Sequence, residues 1–246
     1  MRNILLTIAF DGKNYCGFQV QKNAVSVAER VQDAIERVTG VRSDIKGCSR
    51  TDSGVHAEMF CISFFTDCAL SEEKLCRALD AVLPKDIAAL ECREVPQDFH
   101  ARYSCKGKKY RYRIWNGRSK NPFLQGRAYE YFKRCDEEKM DRAARLIEGT
   151  RDFSAFMAAG SSVEDRVRTV TQCRCERFGD EIVITVAADG FLYNMVRIIV
   201  GTLLWVSEGK IAPEDIPAII ESKDRSKAGP TASAEGLYLS EVYYER

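Results

Sequence analysis

Over the first hundred residues the hydrophobic period changes between that of a strand and that of a helix in one definite order. Ile4 to Phe10 reads as a strand closed by the turn pair Asp11-Gly12. A helix follows, opened by the capping box Ser26-Val27-Ala28-Glu29 and closed at Gly40. Its apolar residues Val27, Val31, Ala34, Ile35 and Val38 fall at helical spacing. Asp44 to Lys46 and Met59 to Phe65 read as strands on either side of a loop containing Gly and Ser. Ser71 to Val82 reads as a second helix and Ile87 to Val95 as another strand. The order β-α-β-β-α-β is that of the split ferredoxin-like unit.

The rest of the chain gives a looser version of the same order. Lys108 to Trp115 reads as a strand and Asp136 to Glu148 as a helix, with Met140, Ala143, Ala144 and Ile147 in register. Arg168 to Glu176 and Glu181 to Ala187 pair as strands across Phe178-Gly179-Asp180. Phe191 to Glu208 reads as a long helix, Pro213 to Ser222 as a shorter one, and Gly236 to Tyr244 as a last strand. A chain of 246 residues can hold one large domain or two of ordinary size. The expectation is an α+β fold of two ferredoxin-like (βαββαβ-type) halves. They would form a continuous, mostly antiparallel sheet with helices on one side and a catalytic cleft between the halves. The division is expected near Pro96 to Ser104, into residues 1–100 and 101–246.

Several function classes drop out. No charged n-region, long apolar stretch and cleavage site follow Met1, so no signal peptide is read and a cytoplasmic protein is expected. The most apolar segment, Phe191 to Val206, is shorter than a spanning helix and carries Asn194 and Arg197, so no membrane association is expected. The ten cysteines lie scattered, without a CxxC pair, and His56 and His100 are the only histidines. They read as reduced thiols packed as small hydrophobes, and no metal site is expected.

Net charge is only +1, but its distribution is uneven. Phe99 to Tyr129 holds nine Lys or Arg (Arg102, Lys106, Lys108, Lys109, Arg111, Arg113, Arg118, Lys120 and Arg127) and no Asp or Glu. Such a band suits a phosphate backbone; a solvated face balanced by acids elsewhere would look the same.

Three places can carry chemistry. In Gly47-Cys48-Ser49-Arg50-Thr51-Asp52-Ser53-Gly54-Val55-His56-Ala57, small residues surround one Arg, one Asp and one His. If Arg50 to Asp52 is extended, both charged side chains project from one face. Composition alone reads the run equally as a polar turn with a surface ion pair. Arg197 sits among Phe191, Leu192, Met195, Ile198, Ile199, Leu203 and Leu204, where a guanidinium is costly unless hydrogen bonds and a carboxylate satisfy it. Pairing with Asp52 would hold that carboxyl ionised; snorkelling to solvent is the alternative. In Lys108-Lys109-Tyr110-Arg111-Tyr112-Arg113, alternation separates Tyr110, Tyr112 and Ile114 from Lys109, Arg111 and Arg113. Aromatics interleaved with cations suit base stacking and phosphate contact, or simply a strand with its tyrosines in the core.

Together these residues resemble a known family. The run around Asp52 is similar to the active-site motif of the TruA family of tRNA pseudouridine synthases, whose usual form is GxGRTDxGVHA. The resemblance covers essentially the whole chain. Asp11-Gly12 with Tyr15-Cys16-Gly17-Phe18-Gln19 looks like the family's opening, and Phe99-His100-Ala101-Arg102 leads into Lys109-Tyr110-Arg111-Tyr112 as it does there. Asn194-Met195-Val196-Arg197 and Lys223-Asp224-Arg225 to Gly236-Leu237-Tyr238-Leu239 also match. Cys48 and Ser49 stand where Ala and Gly are common, Ser53 where Ala is common, and Phe18 where Trp is common. Arg50 and Asp52 keep their places.

The resemblance implies an isomerase that breaks the bond from ribose to uracil N1, turns the base and rejoins it through C5. Asp52 would start the reaction by attacking the sugar, attacking the uracil ring or removing a sugar proton; the residues leave all three open. Arg50 would help displace and hold the flipped nucleotide, and Arg197 would complete the catalytic set. Tyr110 would stack on the target uracil. Arg102, Lys109 and Arg111 would contact the RNA. Neither redox change nor hydrolysis occurs, so no cofactor is expected. Family members typically act on uridines at tRNA positions 38 to 40 of the anticodon stem-loop, as homodimers. Two other readings are weaker. A non-catalytic ferredoxin-like RNA-binding module has no need of Asp52 or Arg197. A hydrolase would want a second catalytic carboxylate or a metal cluster.

Overall fold

A computed structural model of the chain describes residues 1–160 and 163–245. Its residues fall into two compact units, Met1–Lys106 with Tyr238–Arg246, and Gly107–Leu237.

The first unit runs β1 (Arg2–Phe10), α1 (Val27–Thr39), β2 (Ile45–Gly47), β3 (His56–Thr66), α2 (Glu72–Val82) and β4 (Ile87–Val95). β1 lies between β3 and β4, antiparallel to both, and β2 adds antiparallel to the far edge of β3. The order β4-β1-β3-β2 is that of a ferredoxin-like unit. Being central, β1 is apolar on both faces, and Ile4, Leu5, Leu6 and Ile8 are all buried. α1 begins where the sequence places it, because the Ser26 hydroxyl accepts from the Glu29 amide. It buries Val27, Val31, Ala34 and Ile35. α2 packs along β4 through Leu75 and Leu79, and α1 packs on α2.

The second unit contains most of β5 (Cys105–Trp115), followed by β6 (Tyr129–Glu130), α3 (Glu137–Arg145), β7 (Gly149–Asp152), β8 (Val167–Phe178), β9 (Glu181–Ala188), α4 (Met195–Ser207) and α5 (Ile216–Ser222). Its sheet runs β5-β9-β8-β7 with every neighbour antiparallel, and β6 adds parallel to β5. The central order β5-β9-β8 repeats the β1-β3-β2 order of the first unit. Ile182, Ile184 and Val186 of β9 are fully buried, as period-2 alternation demands. α3 packs on β8 and α4 through Met140, Ala143 and Ala144.

The closing strand β10 (Leu237–Tyr244) pairs parallel with β3, Tyr238 opposite His56 and Leu239 opposite Ala57. From Tyr238 onward the chain therefore belongs to the first unit, whereas the sequence reading gave it to the C-terminal half. Other differences are local. The helix expected from Phe191 starts at Met195, because Asn194 takes a left-handed conformation (φ 59°, ψ 12°). The helix expected over 213–222 is a 3-10 turn, Pro213–Asp215, leading into α5. β6 and β7 are short strands that periodicity does not mark.

Candidate active site

Asp52 lies in the loop between β2 and β3, half-buried, and that loop is held by its backbone. Cys48 closes its near end. The Cys48 amide donates to the Cys61 carbonyl at 2.8 Å, and the thiol is fully buried. At its far end the Val55 amide donates to the Asp52 carbonyl at 3.2 Å, making a tight turn through Gly54. Arg50, two residues before the carboxylate, is exposed.

The segment 11–18 braces the loop from outside. The Phe18 amide donates to the Thr51 carbonyl at 3.4 Å, and the Gly54 amide and Ser53 hydroxyl both donate to the Tyr15 carbonyl, at 3.2 and 3.3 Å. Two glycines allow this approach. A Cβ on Gly17 would lie 2.2 Å from the Thr51 oxygen, and Gly17 also takes φ +96°, which L side chains rarely adopt. A Cβ on Gly12 would lie 1.9 Å from the Val55 oxygen. Segment 11–18 is itself anchored. The Tyr15 hydroxyl donates to Asp86 at 2.6 Å, and burial with that bond raises the Tyr15 pKa. Phe18 stacks on Phe60 (centroids 4.4 Å apart, 29° between planes) and lies directly over Gly47. The Phe18 ring thus closes the base of the loop.

His56 of the same run is buried, and the sequence reading gives it no role. Its Nδ1 accepts from the Gly12 amide at 3.0 Å and lies 3.1 Å from the Asp11 carboxylate, while its ring stacks on Tyr238 at 4.5 Å. The signal was its position four residues after Asp52, but nothing in the local pattern names Gly12 as its partner.

Arg197, Tyr110, Lys109 and Arg111 belong to the second unit. Arg197 is half-buried on the first turn of α4. It donates from Nε to the Ala232 carbonyl at 2.7 Å and from Nη1 to the Asn194 side chain at 2.9 Å. The Ala232 amide returns a bond to the Arg197 carbonyl at 3.0 Å. The segment carrying Ala232 is pressed onto α4: a Cβ on Gly201 would lie 1.7 Å from the Pro230 oxygen, and the Thr202 hydroxyl accepts from the Gly229 amide at 2.8 Å. The guanidinium is therefore fixed by hydrogen bonds rather than trailing into solvent.

On β5 the alternation separates faces as expected. Tyr110, Tyr112 and Ile114 are buried, Lys109 and Arg113 half-buried and Arg111 exposed. The Tyr110 ring is 6% exposed and meets Phe191 edge-on at 5.0 Å. Tyr112 is fully buried, and its hydroxyl donates to the Ser233 carbonyl at 2.6 Å. Of the basic band, Arg113 forms a two-pronged pair with Glu181 (2.5 and 3.1 Å) and Lys106 pairs with Glu245 at 2.9 Å. Arg102, Arg111, Arg118, Lys120 and Arg127 are exposed, and Arg102 lies over the Tyr103 ring at 5.7 Å.

The cysteines are free thiols. Burial pushes those of Cys61, Cys92, Cys173 and Cys175 upward, away from the reactive thiolate. Among the described residues, no group of three or more His, Cys, Asp or Glu side chains could hold a metal ion. No helix among them is long and apolar enough to cross a membrane.

A family model described as "tRNA pseudouridine synthase" matches residues 6–104 and 143–245. A "tRNA pseudouridine synthase A" of Acetivibrio thermocellus is 50% identical over 244 residues, covering 99% of this chain and 100% of the relative. A protein of the same description from Clostridium acetobutylicum is 46% identical over the same shares, as is one from a Thermoanaerobacter species. Among solved structures, a chain in "Crystal Structure of a Cbf5-Nop10-Gar1 Complex" is similar at a TM-score of 0.41 and 11% identity, over 96% of this chain and 57% of that one. With the family model matched over residues 6–104 and 143–245 and full-length relatives at this identity, the chain belongs to the tRNA pseudouridine synthase family.

Proposed function

We propose that this chain isomerises uridine to pseudouridine in tRNA, at positions 38 to 40 of the anticodon stem-loop, with Asp52 as the carboxylate that starts the reaction. The observation that carries the reading is the placement of Asp52, in the family's own motif, on a loop whose backbone is clamped on both sides. A preorganised carboxylate suits a step in which position and charge do most of the work.

The chemistry breaks the C1′–N1 bond, turns the uracil and forms C1′–C5, and the C5 proton leaves to water. Asp52 serves as nucleophile toward the sugar, nucleophile toward the ring, or base toward a sugar proton. Each role uses the ionised carboxylate. Arg50, exposed beside it, is proposed to hold the flipped nucleotide. Arg197 is proposed as a catalytic residue, its guanidinium fixed through Ala232 and Asn194. Tyr110 is proposed to stack on the uracil, which requires Phe191 to give way from its edge. Arg102, Lys109 and Arg111 are proposed to contact phosphates. The reaction exchanges one bond for another within a single nucleotide, so its chemistry calls for no cofactor. A homodimer working in the cytoplasm completes the reading.

The test is incubation with tRNA carrying tritium at uridine C5, followed by mapping of the modified positions. Tritium release with new pseudouridine at 38 to 40 is expected. Release from another region of the tRNA would overturn the position, and no release would overturn the activity. Arg197→Leu is expected to lower kcat.

A further inference from the structure

We propose that His56 is a positioning residue for Asp52, acting through the Gly12 amide and present in its working form only while its Nδ1 is unprotonated. The inference rests on the reading of Asp52 as the catalytic carboxylate. It comes from one atom with two competing neighbours: Nδ1 lies 3.0 Å from the Gly12 amide nitrogen and 3.1 Å from Asp11 Oδ1. A ring nitrogen with a lone pair accepts from the amide and gives nothing to the carboxylate. The same nitrogen carrying a proton donates to the carboxylate and no longer accepts from the amide. The two bonds exclude each other.

The first state reaches Asp52 by contact. Gly12 is pressed against Val55, close enough that a Cβ would lie 1.9 Å from the Val55 oxygen. The Val55 amide in turn donates to the Asp52 carbonyl at 3.2 Å, closing the turn that carries the carboxylate. Fixing the Gly12 amide therefore fixes one wall of that turn. In the second state Gly12 is left with a buried amide that has lost its acceptor, and the wall is free to shift. Asp11 does not need the imidazole to stay in place, because its Oδ1 already accepts from the Lys13 amide at 3.1 Å.

The titratable groups set against His56 include Asp11, from the turn after β1, and Tyr238 of β10, whose ring stacks on it at 4.5 Å. Asp86 lies behind them, its carbonyl accepting from the Asp11 amide and its carboxylate from Tyr15. The imidazole is buried among these groups, 1% exposed. Protonation of His56 thus gives kcat an acid limb of its own.

The experiment is the pH dependence of single-turnover kcat and of KM for tRNA in wild type, His56→Asn and His56→Phe, with Asp52→Asn alongside. Asparagine places an uncharged acceptor near the Nδ1 position, so H56N should keep kcat within about threefold near neutrality. Its acid limb should move down by at least about one pH unit. H56F offers no acceptor and should lose about tenfold to a hundredfold in kcat near neutrality, the difference from wild type closing at acid pH, with KM unchanged. An H56N acid limb that coincides with wild type, or an H56F enzyme with wild-type kcat, overturns the inference; if H56F does not fold, H56N alone decides. Activity in Asp52→Asn would overturn the underlying reading instead, so the two failures are distinguishable.

Discussion

Asp52 is positioned by main chain. Its neighbours Thr51, Gly54 and Val55 all make backbone hydrogen bonds, and two glycines of segment 11–18 lie where a side chain would collide with them. Gly17→Ala should therefore be far more damaging than its size suggests. Its Cβ would meet the Thr51 oxygen at 2.2 Å with φ at +96°. The expected result is a loss of about 1–3 kcal/mol of stability and up to about a hundredfold in kcat, read by denaturant titration and tritium release. The sequence made Arg50 and Asp52 visible because a charged pair among small residues is unusual. The bracing was not legible. It depends on which distant backbone a glycine touches, and Gly12 and Gly17 say only that something comes close.

At the scale of elements, the order of strands and helices in the first unit was readable and α1 has a marked start at Ser26, but β3 begins at His56, three residues before the expected Met59. α4 was harder. Its helix is apolar nearly all round, so periodicity could not see that Asn194 turns left-handed and delays its start to Met195. Nor could it see that the segment Gly229–Ala232 lies against Gly201 and supplies the Ala232 carbonyl to Arg197. Helix propensity alone would make Gly201→Ala stabilising by about 1 kcal/mol. A Cβ placed 1.7 Å from the Pro230 oxygen reverses that sign. The substitution should lower stability by about 1–3 kcal/mol and lower kcat by disturbing the Ala232–Arg197 contact. Thermal unfolding together with a kinetic assay checks both.

For the molecule as a whole, local pattern gave the elements but not every partner. β10 pairs with β3 across about 180 positions of sequence, a long-range choice that no local period encodes. Stability of the whole chain also depends on pH through identifiable groups. Lys210, Tyr131 and Lys133 hydrogen-bond the Glu208 carboxylate and hold it at about 2, below its ordinary 4.5. A lowered folded-state value gives stabilisation that is complete above the unfolded value and lost as pH falls through the folded one. The upper bound is roughly 3 kcal/mol, reduced to about 1–2 because both lysines are more than half exposed. Glu208→Gln should be less stable than wild type at pH 7, and the difference should close between pH 4.5 and about 2. A difference independent of pH would show that Glu208 contributes by packing instead.

The central claim is that the carboxylate of Asp52 performs the chemistry, and Asp52→Asn tests it most directly. The change keeps the size of the side chain and the backbone clamp of its loop while removing the charge. Single-turnover release of tritium from C5-labelled tRNA is the measurement, with tRNA affinity determined on the same preparation. No release above background is expected, with affinity within a few-fold of wild type. Release at the wild-type rate would contradict the claim.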